Sequence, residues 1–291
     1  MTRQFFLALS QNRALRRWME TSSLSRKLTR RFVAGDLLDE GIAVCRSLSK
    51  QKMLATLDHL GENVSTEKEA SDSRQAILTA LDRVAAESPS STVSIKLTQF
   101  GLDISEELCR ENVRQLVAKA KAVGSRVEMD MEASEYVDRT LALVTAMREE
   151  FGDHVRAVIQ AYLYRSEKDI ERLNELRVPV RLCKGAYNEP AGIAYPDKTD
   201  VDASYVQLTK VLLDAGAYPA IATHDEKIIK ETLAYVKEKQ YGESRFEFQM
   251  LYGVRRDLQK KIVDAGFRIR LYVPYGTAWY PYFMRRLAER P

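Results

Sequence analysis

Val180-Arg181-Leu182-Cys183-Lys184 is a short, β-rich run that closes on a charged side chain, and it is one of eight β-rich runs in the chain, most with a polar or charged residue at the end. The others are Lys52–Asp58, Val93–Thr98, Val127–Met131, Ala157–Leu163, Ala220–His224, Phe246–Leu251 and Ile269–Val273. Apolar runs of this length read as buried strands, and the longer stretches between them carry helical spacing. Strand and helix alternating eight times predict an α/β fold, a (β/α)8 TIM-type barrel, whose active site sits at the C-terminal ends of the strands. Those ends carry Asp58, Lys96, Asp130, Gln160, Arg181 with Lys184, His224, Gln249 and Tyr272.

The connections support this reading. Glu67–Ala86 is a helix leading into the second run. Ser105 is an N-cap followed by Glu106 and Glu107, acids that suit the positive end of a helix dipole, and Gly124 closes that helix. Ala133–Phe151 is helical and stops at Gly152; Glu167–Leu176 follows the fourth run, and Pro179 blocks helix on the way into the fifth. Ala203–Ala215, Glu226–Lys239, Arg255–Ala265 and Tyr280–Glu289 are further helices. Asn188–Asp200, with Pro190, Gly192 and Pro196, is expected to be a long loop at the active-site face, where such loops act as lids or binding loops.

Residues 1–50 read as an N-terminal helical extension and 51–291 as the barrel. The extension is basic, with Arg13, Arg16, Arg17, Arg26, Lys27, Arg30 and Arg31, and Leu15, Met19, Leu24, Leu28 and Phe32 follow helical spacing. It is expected to cap the barrel with a solvated basic face; a surface meeting an acidic partner or a membrane interface is the alternative.

Across 291 residues, 45 Lys and Arg against 41 Asp and Glu leave a net charge of +4, too small to imply nucleic acid. Cys45, Cys109 and Cys183 are scattered and form no disulfide framework, which fits a reducing compartment. No apolar stretch approaches the roughly 20 residues that span a bilayer, and Phe5–Leu9 is too short for a signal-peptide core. A soluble cytoplasmic protein is expected, with a contact at the inner face of the membrane left open by the basic extension. His59, His154 and His224 are the histidines and form no His-x-His, so a metal site is not expected.

Several residues could carry chemistry. Arg285-Arg286 suits a carboxylate or phosphate, because each guanidinium presents a planar fork of donors; Glu289, four residues after Arg285, could instead pair with it on a helix surface. Ser94 and Lys96 share a strand face. Asp130 sits beside apolar residues and needs a partner, with Lys96, Arg285 and Arg286 as candidates. Arg181, Lys184 and the Gly185-Ala186 turn offer cations and close backbone approach to an anionic group such as a dinucleotide. Tyr272 and Tyr282 could wall a small apolar pocket.

Val93-Ser94-Ile95-Lys96-Leu97, Arg181-Leu182-Cys183-Lys184-Gly185-Ala186-Tyr187, Ala222-Thr223-His224, Phe248-Gln249-Met250-Leu251-Tyr252-Gly253 and Tyr282-x-x-Arg285-Arg286-x-x-Glu289 stand in this order. Together they resemble proline dehydrogenase of the monofunctional bacterial type, from about Lys52 to the end. The resemblance implies a distorted barrel that binds FAD, oxidises L-proline to 1-pyrroline-5-carboxylate and passes electrons to a quinone. This is the first step of proline degradation, with a pyrroline-5-carboxylate dehydrogenase receiving the product. It implies that Lys96, Arg285 and Arg286 bind the proline carboxylate and that Glu289 orients the arginines. Tyr272, Tyr282 and Leu251 would contact the ring, Asp130 would belong to the active-site ion pairs, and Arg181 would lie near the flavin N5. Met131, Gln160, Lys184, Gly185, Ala186, Thr223 and His224 would hold FAD. A flavin barrel acting on hydroxyproline and a non-catalytic flavin- or amino-acid-binding sensor are the competing readings.

Overall fold

The computed structural model describes residues 29–61 and 64–289, the last five as backbone only. The expectations for Arg13 to Leu28 and for the signal-like start lie outside the described residues, and so do the side chains of Arg285, Arg286 and Glu289.

The eight runs form β1 (Leu54–His59), β2 (Thr92–Ile95), β3 (Val127–Met129), β4 (Val155–Gln160), β5 (Val180–Cys183), β6 (Ala220–Ala222), β7 (Glu247–Leu251) and β8 (Ile269–Tyr275). They pair in chain order as a closed barrel. All pairs are parallel, and β8 closes on β1 with Leu54 opposite Arg270 through to His59 opposite Tyr275. The helices are α1 (Leu38–Lys50), α2 (Glu67–Glu87), α3 (Glu106–Ala122), α4 (Val137–Phe151), α5 (Ser166–Glu175), α6 (Lys198–Ala215), α7 (Glu226–Glu238), α8 (Arg256–Asp264) and α9 (Trp279–Glu289).

Local chemistry sets the helix ends. Thr66 caps α2, its hydroxyl accepting from the Glu69 N–H while the Glu69 carboxylate accepts from the Thr66 N–H, a reciprocal capping box. Ser105 caps α3 through the Leu108 N–H at 3.3 Å, and α4 stops at Gly152, whose φ is +69°. The loop expected through Asp200 is shorter: α6 begins at Lys198, where Lys198 and Asp202 pair one turn apart at its start.

Alternation along the strands builds two different cores. One set of positions, including Leu57, Val93, Ile95, Met129, Leu182, Ile221, Phe248 and Leu271, is buried in an apolar layer shared with the helices. Ile42, Cys45 and Leu48 of α1 join that layer, so this part of the N-terminal extension is built into the barrel wall. The alternate set points inward and is largely polar. Thr56, Thr92, Glu128, Arg156, Glu247 and Arg270 are buried and bonded across the barrel. Arg156 reaches Glu247 at 2.7 Å and Glu128 at 3.4 Å, with all three side chains at 0% exposure. Arg270 reaches Glu247 at 2.9 Å, and Gln249 donates to the same carboxylate at 2.8 Å.

A second, smaller apolar cluster joins Val33 and Leu60 to Trp279, Tyr280, Tyr282, Phe283 and Met284 of α9. Leu60 N–H donates to the Tyr275 carbonyl and Gly276 N–H to that of Gly35. Thus α9 is seated over the side of the mouth where β1 and β8 end.

Burial alone would raise the carboxyl pKa of Glu128 and Glu247. The guanidiniums of Arg156, Arg181 and Arg270 overcome this at Glu128, and Arg270 and Arg156 do so at Glu247, so both stay well below the usual carboxylate range. A depressed carboxyl pKa gives stability that is full above the unfolded value and is lost as pH falls toward the folded one. Thermal midpoints followed by circular dichroism should therefore fall steadily between about pH 5 and about pH 3, with a shallower slope in Glu247→Gln; an equal slope would show that these acids do not govern acid unfolding. Arg156→Met should cost about 3–5 kcal/mol, because it leaves two buried carboxylates short of a partner.

Candidate active site

Above the Arg156 layer, the strand ends converge on Asp130, which follows β3. Ser94 of β2 donates to its Oδ1 at 2.7 Å, and Tyr272 of β8 donates to its Oδ2 at 2.6 Å. Arg181 of β5 crosses the mouth and donates from Nη2 to Asp130 Oδ1. Its Nη1 lies 3.2 Å from Glu128 Oε2, and its guanidinium sits 5.3 Å from the centre of the Tyr272 ring. Lys96, just past β2, stands 3.5 Å from Asp130 Oδ2 and 3.7 Å from Asp58 Oδ1. Asp130 is 9% exposed and Arg181 5%. Burial pushes the Tyr272 phenol well above its ordinary value, so it stays protonated and donates.

Two features hold this group in register. Asp130 N–H donates to the Ile95 carbonyl, which carries the β2–β3 pairing one residue past the strand. Directly after Lys96 the chain turns into a short 3-10 helix, Leu97–Phe100, where the Glu132 carboxylate accepts from Thr98 N–H at 3.1 Å and from its hydroxyl at 2.6 Å. The loops after β2 and β3 are thereby tied together beside the two charges.

Of the partners expected for Asp130, Lys96 is at hand, joined by Arg181 and Tyr272, while the side chains of Arg285 and Arg286 lie outside the described residues. Among the described residues Lys96, Arg156, Arg181 and Arg270 face Asp58, Glu128, Asp130 and Glu247. The backbone of α9 carries Arg285 and Arg286 over the same side of the mouth.

The ends of β4, β5 and β6 hold the other expected set. Gln160 is buried and donates to the Glu132 carbonyl at 2.9 Å; Met131, the residue before Glu132, is buried too. His224 Nε2 accepts the Leu251 N–H at 2.8 Å, which leaves the neutral ring's proton on Nδ1. Thr223 Oγ1 accepts the Asp225 N–H. Lys184 is paired with Asp202 and lies 3.1 Å from Asp225. Gly185 has φ +116°, and a Cβ there would come 2.2 Å from the Tyr162 ring. The glycine is thus needed for close packing of the turn on Tyr162. Arg181, Gln160, Thr223, His224 and the Lys184–Ala186 turn form a polar arc over three adjacent strands, with donors and acceptors that could serve a polar cofactor. Lys184 is the exception within it, since a phosphate would have to displace an aspartate.

The family model for proline dehydrogenase matches residues 42–290. The chain is 43% identical to proline dehydrogenase 1 of Bacillus subtilis (strain 168) over 291 residues, 100% of this chain and 96% of the relative. The chain belongs to the proline dehydrogenase family. Proline dehydrogenase of Deinococcus radiodurans is 42% identical over 91% of this chain and 86% of its own length. Proline utilization A from Bdellovibrio bacteriovorus, solved after inactivation by N-propargylglycine, superposes with a TM-score of 0.86 at 29% identity, over 91% of this chain and 33% of that one. The proline dehydrogenase fold is therefore this closed barrel, and the larger relative carries it within a chain about three times as long.

Sequence reasoning missed Glu128, Arg156, Glu247 and Arg270. Their signal was present as parity: each lies two residues before a strand-end residue already singled out or its neighbour on the same face, Glu128 before Asp130 and Arg270 before Tyr272. Gly185→Ala should lower the thermal midpoint by about 1–3 kcal/mol of stability, the usual cost of a residue forced into such a conformation. A midpoint equal to the parent's would contradict the close packing on Tyr162.

Proposed function

We propose that FAD lies over the β4–β6 side of the mouth and L-proline over the β1–β3 and β8 side, beneath α9. The enzyme is an oxidoreductase of proline that carries out the first step of proline catabolism, oxidising L-proline to 1-pyrroline-5-carboxylate. The observation that carries the site assignment is the bonded group Lys96–Asp130–Tyr272–Arg181, which spans both sides of the mouth.

Proline is small and zwitterionic, with an apolar ring. Lys96, Arg285 and Arg286 bind its carboxylate, with Glu289 orienting the arginines. Tyr272, Tyr282 and Leu251 wall the ring; Tyr272 and Tyr282 are already held by packing or hydrogen bonding, so little side-chain freedom is lost on binding. Asp130 keeps Lys96 and Arg181 separated and in place. The ring nitrogen must be neutral when a hydride equivalent leaves the neighbouring carbon. Lys96 and Arg181, and the arginines of α9, disfavour an ammonium there.

Bound FAD would supply the two-electron acceptor and the capacity to pass electrons on to a quinone. Met131, Gln160, Lys184, Gly185, Ala186, Thr223 and His224 would hold it, and Arg181 would lie on the side of its N5, where positive charge would favour the reduced form. Residues 51–291 form the catalytic barrel and 1–50 the N-terminal extension. The product passes to a pyrroline-5-carboxylate dehydrogenase. Among the described residues no helix is long and apolar enough to cross a membrane; a cytoplasmic enzyme whose basic N-terminal segment touches the inner face of the membrane would reach a quinone held there.

Anaerobic addition of L-proline to purified, flavin-loaded protein should bleach the flavin absorbance; protein that stays yellow with proline and bleaches with hydroxyproline would redirect the substrate assignment. Arg285→Met and Arg286→Met should each raise the KM for proline about 10–100-fold with FAD retained, the cost of one charge-assisted hydrogen bond of about 1.5–3 kcal/mol. Unchanged KM in both variants would remove the carboxylate role.

A further inference from the structure

Glu128 lies under the site and touches neither proline nor flavin in the assignment above. It is nevertheless the group that joins the mouth to the buried charge layer. Its Oε1 accepts from Thr56 at 3.2 Å, Thr92 at 2.9 Å and Arg156 at 3.4 Å. Its Oε2 lies 3.2 Å from Arg181 Nη1, with the Gln249 amide 3.4 Å away. The two terminal nitrogens of Arg181 are thus held by different carboxylates of one strand face: Nη2 by Asp130 and Nη1 by Glu128. Fully buried and surrounded by three guanidiniums, Glu128 keeps its negative charge.

We propose that Glu128 is a positioning residue for Arg181, fixing the second guanidinium nitrogen and setting how much of its positive charge reaches the face of the mouth where the flavin binds. This rests on the reading that Arg181 lies against the flavin. Three observations argue for it. Charge enters the barrel interior in pairs, so loss of the Glu128 carboxylate leaves a cation uncompensated at the point nearest Arg181. Low dielectric around a wholly buried group keeps that imbalance unscreened. The Asp130, Ser94 and Tyr272 contacts remain when Glu128 changes, so Arg181 stays in the mouth and the change is felt as charge rather than as absence of the arginine.

The test is the midpoint potential of the bound flavin, read spectrophotometrically in flavin-loaded protein, alongside proline kinetics and thermal midpoints. Glu128→Gln removes the charge at nearly constant shape. It should favour the reduced flavin about tenfold, a rise of about 30 mV for a two-electron couple, and change kcat for proline more than KM. Arg181→Met should move the potential the other way. If Arg181→Met shifts the potential and Glu128→Gln does not, the inference fails while the placement of Arg181 stands. If Arg181→Met leaves the potential unchanged, that placement fails and the inference falls with it. Should Glu128→Gln not retain FAD, Glu128→Gln with Arg156→Gln keeps the buried charge balanced. Because Arg156 makes no contact with Arg181, the same sign of shift at smaller size is expected. A folded double variant with the parent potential, like a lower thermal midpoint with no redox change, would reduce Glu128 to a structural role.

Discussion

A barrel of eight short parallel strands normally fills its interior with branched apolar side chains in layers. Here much of the lower interior is ionic, and the arrangement above depends on how Glu128 and Glu247 are neutralised by Arg156, Arg181 and Arg270. Taking such groups out of water is expensive, and only complete mutual pairing offsets it. Pairing of that kind is directional. Arg156 on β4 must meet Glu247 on β7, and Arg181 on β5 must meet Glu128 on β3, so the ion pairs fix how strands that are not neighbours face one another.

The chemistry is stacked directly on this layer. Asp130 and Glu128 share one face of the β3 segment, and Arg181 bridges them. A charge at the strand ends therefore stands one carboxylate away from a charge in the structural core. Such continuity ties Arg181, Asp130 and Tyr272 to one another and to the layer below. Beside this mouth lies α9, anchored by its aromatic residues to Val33 and Leu60.

Much of the fold was legible because strand and helix differ in period. All eight strands fall on the runs read from the sequence, and the helices follow them in order. The misjudged pieces were boundaries. Helix α6 starts at Lys198 because local ion pairing extends it, and the breakers Pro190, Gly192 and Pro196 all lie before that point. Of the site, strand-end residues could be picked by position, and the Arg181–Tyr187 and Tyr282–Glu289 motifs marked the family. The partners of Lys184, Asp202 and Asp225, could not be read from the sequence, because they come from segments 18 and 41 residues away.

What the sequence determined by itself was the order of elements, the face of each strand that meets the helices, and which residue types crowd the C-terminal ends. These follow from local period, capping and turn chemistry, all of which act within a few residues. The tertiary structure decided which charges meet. Asp130 and Tyr272 are 142 residues apart, and Glu128 and Gln249 are 121 apart; their contact exists only because the closed barrel brings distant strands around one axis. Parity along a strand says which side chains point inward, whereas closure, stagger and burial decide how those side chains pair.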